Sequence, residues 1–200
     1  MKVIVCALLV SIYANLNAQS TFVDPRDGQS YNTVQVGQTL WLSSNLRFET
    51  STSHCPASST TDCAKGNYYT YTEAREVCPT GWRLPTLEDW DEYHSVTVAP
   101  EISERYFDSN TKKYKVEITA DSLSYFAPGN KLNLQMLARV EGEKLVKGSF
   151  LDLWTTNKEF NDDKFHVHIT SNTIQGHAHK HNIIDKKEKI RKFGVRCVRK

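Results

Sequence analysis

An excess of charge of either sign is nearly absent from this 200-residue sequence, in which 25 lysines and arginines face 23 aspartates and glutamates. Such a balance argues against dedicated nucleic-acid binding, which requires a strongly basic face. Long apolar runs are scarce too. None approaches the roughly 20 residues that a membrane-spanning helix needs. Catalytic signatures are missing: there is no Gly-x-Ser-x-Gly elbow, no glycine-rich phosphate loop and no His-Glu-x-x-His helix. Glu88, Asp89, Asp91 and Glu92 are better explained as charges at a helix start and on its solvent face than as an acid/base pair. No cysteine pair has the tight spacing of a zinc knuckle. These gaps predict a protein that is not an enzyme.

What is present begins with a leader. Met1-Lys2 precedes the apolar run from Val3 to Ala14, followed by polar Asn15-Leu16-Asn17-Ala18-Gln19. A charged start, a short apolar middle and a small residue at the cut predict a signal peptide over residues 1–18. The protein is then secreted, periplasmic or on the cell surface, with no transmembrane segment after cleavage. Cys6 lies inside the run and is not read as a lipid-attachment cysteine. With Lys2 removed, 24 basic residues face 23 acidic ones, and residues 19–200 suit one domain.

Four cysteines remain, Cys55, Cys63, Cys78 and Cys197, and in an exported chain an even count reads first as disulfides. Three pairings are open to them, and sequence alone does not choose. The favoured set is Cys55–Cys63, closing a loop with no hydrophobic pattern, and Cys78–Cys197. The latter ties a helix to the last strand, a closure worth roughly 4–5 kcal/mol on the chain-entropy account.

Along the chain, Asp24-Pro25-Arg26-Asp27-Gly28 reads as a turn between Thr21–Val23 and a strand carrying Tyr31, Val34 and Val36. A further strand is expected to end at Asn45-Leu46. Thr70 with Glu73, and Thr86 with Asp89, are helix-start signatures. The first helix is expected to place Tyr71, Ala74, Val77 and Cys78 on one face; the second buries Leu87, Trp90 and Tyr93. Trp41, Trp82, Leu84, Trp90 and Trp154 are expected core residues. Lys113 to Ile118, Asn133 to Val140, Phe150 to Thr156, Phe165 to Ile169 and Phe193 to Val198 read as strands. Asp108-Ser109-Asn110-Thr111 opens like a calcium loop, but Lys112 and Lys113 stand where a carboxylate and a glycine are needed.

With these elements placed, three ordered blocks resemble the Fibrobacter succinogenes major paralogous domain. The first runs from Asp24-Pro25-Arg26-Asp27-Gly28-Gln29-Ser30-Tyr31 through Thr33-Val34, Val36-Gly37, Trp41 and Asn45-Leu46. The middle block is Tyr69-Thr70-Tyr71, Glu73-Ala74, Cys78-Pro79-Thr80-Gly81-Trp82-Arg83-Leu84-Pro85-Thr86 and Asp89-Trp90; the last is Phe193-Gly194-Val195-Arg196-Cys197-Val198-Arg199. The resemblance implies an α+β, C-type-lectin-like fold with two short helices packed on mostly antiparallel sheets. It also implies a disulfide from the first helix to the final strand, and an exported protein typical of gut or rumen Bacteroidetes and their relatives. Two departures mark the middle of the chain as a variable insert around residues 101–147. Trp154-Thr155-Thr156 stands where the family has a Trp-Ser-Ser-Thr run, and Leu134-Gln135-Met136-Leu137-Ala138-Arg139-Val140 replaces a Gly- and Arg-rich segment. The loop and strand motifs that hold calcium in sugar-binding lectins are absent, so calcium-dependent sugar binding is not expected.

One cluster stands out: His166 and His168 on one strand, then His177, His179 and His181 after a turn. With a two-residue turn at Asn172-Thr173, His168 falls opposite His177 and His166 opposite His179. Four imidazoles on one surface would suit Zn²⁺ or Cu²⁺; the plainer expectation is a solvent-facing strand edge. Lys186 to Lys192 is locally basic and reads as a solvated loop. The leading expectation is a non-catalytic envelope module that binds a glycan or an envelope protein, or is structural, acting through the 101–147 insert and needing no cofactor. The alternative is a periplasmic metal-binding protein built on the histidines. An enzyme of the sulfatase-modifying branch has no supporting residue.

Overall fold

The computed structural model describes residues 20–55, 63–97, 103–108, 113–118, 125–126, 130–137, 139–142, 144–156, 164–171, 173–179 and 190–200. The leader, the Cys55–Cys63 loop interior and most of the basic 186–192 run lie outside them. Among the described residues the chain is mostly sheet. The strands are β1 (Thr21–Val23), β2 (Ser30–Val36), β3 (Thr39–Leu42), β4 (Tyr68–Tyr69), β5 (Ser103–Asp108), β6 (Lys113–Ile118), β7 (Arg139–Glu141), β8 (Lys144–Val146), β9 (Leu151–Thr155), β10 (Lys164–Ile169), β11 (Thr173–His179), β12 (Arg191–Gly194) and β13 (Val198–Arg199). Two helices, α1 (Tyr71–Ala74) and α2 (Leu87–Thr97), complete an α+β mixture.

The smaller sheet has the order β1-β2-β3-β13. Its first hairpin is closed by Asp24, whose buried carboxylate accepts from the Arg26 backbone N–H at 3.0 Å and from Arg26 Nε and Nη2 at 2.9 and 2.7 Å. Gly28, at φ +73°, turns the chain so that its N–H reaches the Asp24 carbonyl at 2.8 Å. Arg26 Nη1 also donates to the Val77 carbonyl at 2.8 Å, so the turn is tied to the segment after α1. The strand expected to reach Leu46 ends at Leu42. Beyond it Asn45 is buried beside Arg196, and the Leu46 N–H bonds the Val195 carbonyl at 2.8 Å. The backbone there is satisfied by the closing segment of the chain rather than by a ladder.

The larger sheet runs β5-β6-β11-β10-β9-β12-β7-β8, with β4 also paired to β12. Every residue of β9 is buried because both faces of the sheet are covered. Leu151 and Leu153 pack on one side with Trp41, Trp90, Phe165, Val167, Ile169 and Ile174. Trp154 points to the other, joining Tyr69, Trp82, Leu84, Phe193, Val195 and Cys197. Its Nε1–H donates to the Tyr69 carbonyl at 2.6 Å. Pairing is antiparallel throughout the described ladders except between β9 and β12. The expected last strand, Phe193 to Val198, is divided. Residues 191–194 serve the large sheet, while Val198 and Arg199 pair with Trp41 and Leu40 of the small one.

The first helix is shorter than expected, a single turn that starts on the Thr70–Glu73 capping box and stops at Arg75. Cys78 therefore lies past its end, where it is bridged to Cys197 with Cα atoms 5.8 Å apart; Cys55 and Cys63 form the second disulfide. At α2 the Thr86 N–H donates to Asp89 Oδ2 at 2.7 Å and the Asp89 N–H to Thr86 Oγ1 at 3.3 Å. Asp89 thus stands at the helix start as expected, but the expectation of a solvent face needs correction for Glu92. Asp89 is buried against Arg83, at 2.6 Å, and Glu92 accepts from the Gln38 N–H and the Thr39 hydroxyl, both at 2.7 Å. Trp41 and Trp90 meet edge-on at 4.8 Å between ring centres, fixing α2 on the small sheet.

Candidate functional site

Arg196 sits between Val195 and Cys197, which both enter the Trp154 cluster, so in an extended segment it projects the opposite way. It is 2 % exposed. Nε and Nη2 donate to Asn45 Oδ1 at 3.0 and 2.7 Å, and Nη1 donates to the carbonyls of Leu132 at 2.5 Å and Leu42 at 3.4 Å. No carboxylate among the described residues pairs with it. Burial pulls its pKa down to about 9, which leaves the guanidinium charged at neutral pH.

The Leu132 carbonyl is held in place by residues 130–137. Asn130 Oδ1 accepts from Tyr93 Oη at 2.8 Å and from the Leu132 N–H at 2.9 Å, and Asn130 Nδ2 donates to the Tyr125 carbonyl. Leu132 and Leu134 are buried in the core while Asn133, Gln135 and Met136 are exposed. A strand was expected from Asn133 to Val140. Among the described residues of this segment, only Arg139–Glu141 lies in a ladder; before it Leu132 and Leu134 anchor the segment to the core, and the Leu137 N–H bonds the Phe150 carbonyl at 3.0 Å.

Two adjoining depressions open along this segment. One, of about 120 Å³, has Arg196 and Asn45 among its walls together with Ser44, Asn133 and Gln135. The other, of about 200 Å³, is lined by Tyr68, Met136, Leu145, Lys147 and Gly148. Lys65 and Leu137 line both, so they adjoin in one groove that has Arg196 at one end and Lys147 at the other. Arg196 was quoted above only as part of a family block. Its flanking apolar residues, Val195 and Cys197, are the signal that an arginine there must face a different environment.

The histidine hairpin differs in register from the expectation. Ile169 pairs with Ile174, which sets His166 opposite His177, His168 opposite Gln175 and Lys164 opposite His179. Thr170 and Thr173 close the turn, with the Thr170 N–H on the Thr173 carbonyl at 2.9 Å and the hydroxyls 2.7 Å apart. A shift of two residues keeps the alternation of faces, so the histidine positions stay on one side of the hairpin. That side is not a solvent-facing edge. β10 lies between β9 and β11, and His166 is buried, its ring 4.5 Å from that of Phe193. His168 Nδ1 is 2.6 Å from Asp152 Oδ1, and the buried Asp152 also accepts from Arg139 Nη1 at 3.2 Å. His166 Nε2 is 3.9 Å from the same carboxylate. The side chains of His177 and His179, and all of His181, lie outside the described residues.

The family model described as the Fibrobacter succinogenes major domain matches residues 34–199 of the chain. Searches of curated proteins and of solved structures gave no significant match.

Proposed function

We propose a function from the premise that this chain belongs to the Fibrobacter succinogenes major domain family: it is an exported, non-catalytic envelope module that binds a glycan or an envelope protein in the groove beside residues 130–148. The observation that carries this reading is the continuity of the two depressions through Lys65 and Leu137, one walled by Arg196 and amides, the other by Tyr68, Met136 and Leu145 beside Lys147. Binding sites combine an apolar floor with a few fixed polar groups in this way. Export through cleavage of residues 1–18 is supported by the two disulfides, which persist in oxidising compartments. A C-type-lectin-like architecture over residues 19–200 is supported by the bridge from the α1 segment to the closing strand.

Met136, 45 % exposed in the groove, offers the test. On a glycan array the wild-type protein should retain at least one glycan, and Met136→Asp should weaken that binding at least tenfold with an unchanged Tm. Retention of no glycan, or equal binding by the variant, counts against a glycan-binding groove. A second reading, Zn²⁺ or Cu²⁺ binding at the histidines, is favoured by the approach of His168 and His166 to Asp152 and by the pairing of His166 with His177. Calorimetric titration of Zn²⁺ into untagged protein should then give micromolar binding; none below millimolar removes it.

A further inference from the structure

Arg196 is a buried cation whose charge the described residues do not balance. Burying a charge is costly unless it is paired. Carbonyl and amide oxygens accept from Nε, from one hydrogen of Nη2 and from Nη1, which leaves the second Nη2 hydrogen without an acceptor. Asn45 commits Oδ1 to the guanidinium, and its Nδ2 finds no acceptor among the described residues. Both residues line the cavity of about 120 Å³, room for several waters or one small polar group. A guanidinium is weakly hydrated, and its planar fork matches the paired oxygens of a carboxylate, as it does those of a phosphate.

We propose that this cavity takes the carboxylate of an acidic sugar, a uronic acid unit, with Arg196 as counter-charge and the Asn45 amide as second donor. The proposal rests on the groove reading above and names the class of glycan. The remaining polar lining is Lys65 together with Ser44, Asn133 and Gln135, a hydroxyl and two amides each able to donate and accept, as ring hydroxyls require. An acidic peptide would instead call for an open strand edge or pockets for alternate side chains.

The test is calorimetric titration of the full protein with an oligogalacturonate, its methyl ester and an oligoglutamate. The acid should bind at least tenfold more tightly than the ester and than oligoglutamate, with an affinity that falls as salt rises. Arg196→Met should abolish that preference. Should this variant fail to fold, Gln135→Glu stands in, since it adds a competing carboxylate at an exposed position. It should weaken the acid at least tenfold more than it weakens the ester. Equal affinity for acid and ester, tighter binding of oligoglutamate, or an unaffected Gln135→Glu would overturn the proposal. If ester and acid bind alike and both are lost with Met136→Asp, the acidic-sugar inference fails while the groove reading stands; if no saccharide binds, both fail.

Discussion

Asp89 shows how one side chain can join a helix start to two neighbouring segments. Its carboxylate accepts from Arg83 Nη1 and Nη2 at 2.6 and 3.1 Å, from the Thr86 N–H at 2.7 Å and from the Thr39 hydroxyl at 3.3 Å. Burial pushes its pKa up, but the hydrogen bonds from Arg83 and Thr86 outweigh burial and hold it below the usual aspartate value. A folded pKa below the unfolded one contributes stability that is fully present above about pH 4 and is lost as pH falls through the folded value. Asp89→Asn should therefore cost about 1–3 kcal/mol at pH 7. In urea titrations that cost should shrink toward zero near pH 2. An equal gap at both pH values would mean that Asp89 contributes no charge-dependent stability. Asp24 and Glu73 are also held low, each by hydrogen bonds that outweigh burial, and add to the same acid sensitivity.

Among the elements, β11 and α2 approach closely because Gly176 lies between them. A Cβ there would stand 2.7 Å from the Phe165 ring and 3.0 Å from Leu87 Cδ2. Gly176→Val should destabilise the protein by about 1–3 kcal/mol through overpacking. Combined with Leu87→Ala, which opens the same space, the double variant should lose less than the sum of the two singles; strict additivity in guanidinium melts would show that the two sites do not touch. The element scale is also where the sequence was easiest and hardest to read. Capping pairs at Thr70 and Thr86, and the turn at Asp24–Gly28, are local chemistry and were legible. The segment from Asn133 to Val140 was read as a strand, since extended anchoring and strand pairing leave the same trace in one chain. The histidine hairpin was placed on one face correctly, yet its register depended on a turn closed by Thr170 and Thr173. Its burial depended on Phe193 and Trp154 from distant segments. Of the candidate groove, the contributing insert could be named from the sequence; the Asn45–Arg196 contact, spanning most of the chain, could not.

For the whole molecule, the two disulfides are expected to behave differently. Cys78–Cys197 spans 119 residues and Cys55–Cys63 spans 8. On the chain-entropy account their removal costs about 5 and about 2.5 kcal/mol respectively. Cys197 is fully buried whereas Cys55 and Cys63 are half-exposed. Cys78 is partly exposed as well, so dithiothreitol under native conditions should open Cys55–Cys63 first and Cys78–Cys197, with one sulfur buried, more slowly. Timed alkylation with mass mapping checks the order; equal labelling of Cys197 and Cys63 at early times would contradict it.

Residues 191–199 stand in the middle of the large sheet and at the border of the small one. A chain synthesised from its front end thus carries β3 and β9 with exposed, unpaired flanks until those nine residues emerge. Closure is a late event that joins distant parts of the polypeptide, and such unpaired flanks invite aggregation while they wait. A cell making this protein has to shelter the nascent chain for nearly the whole of its synthesis.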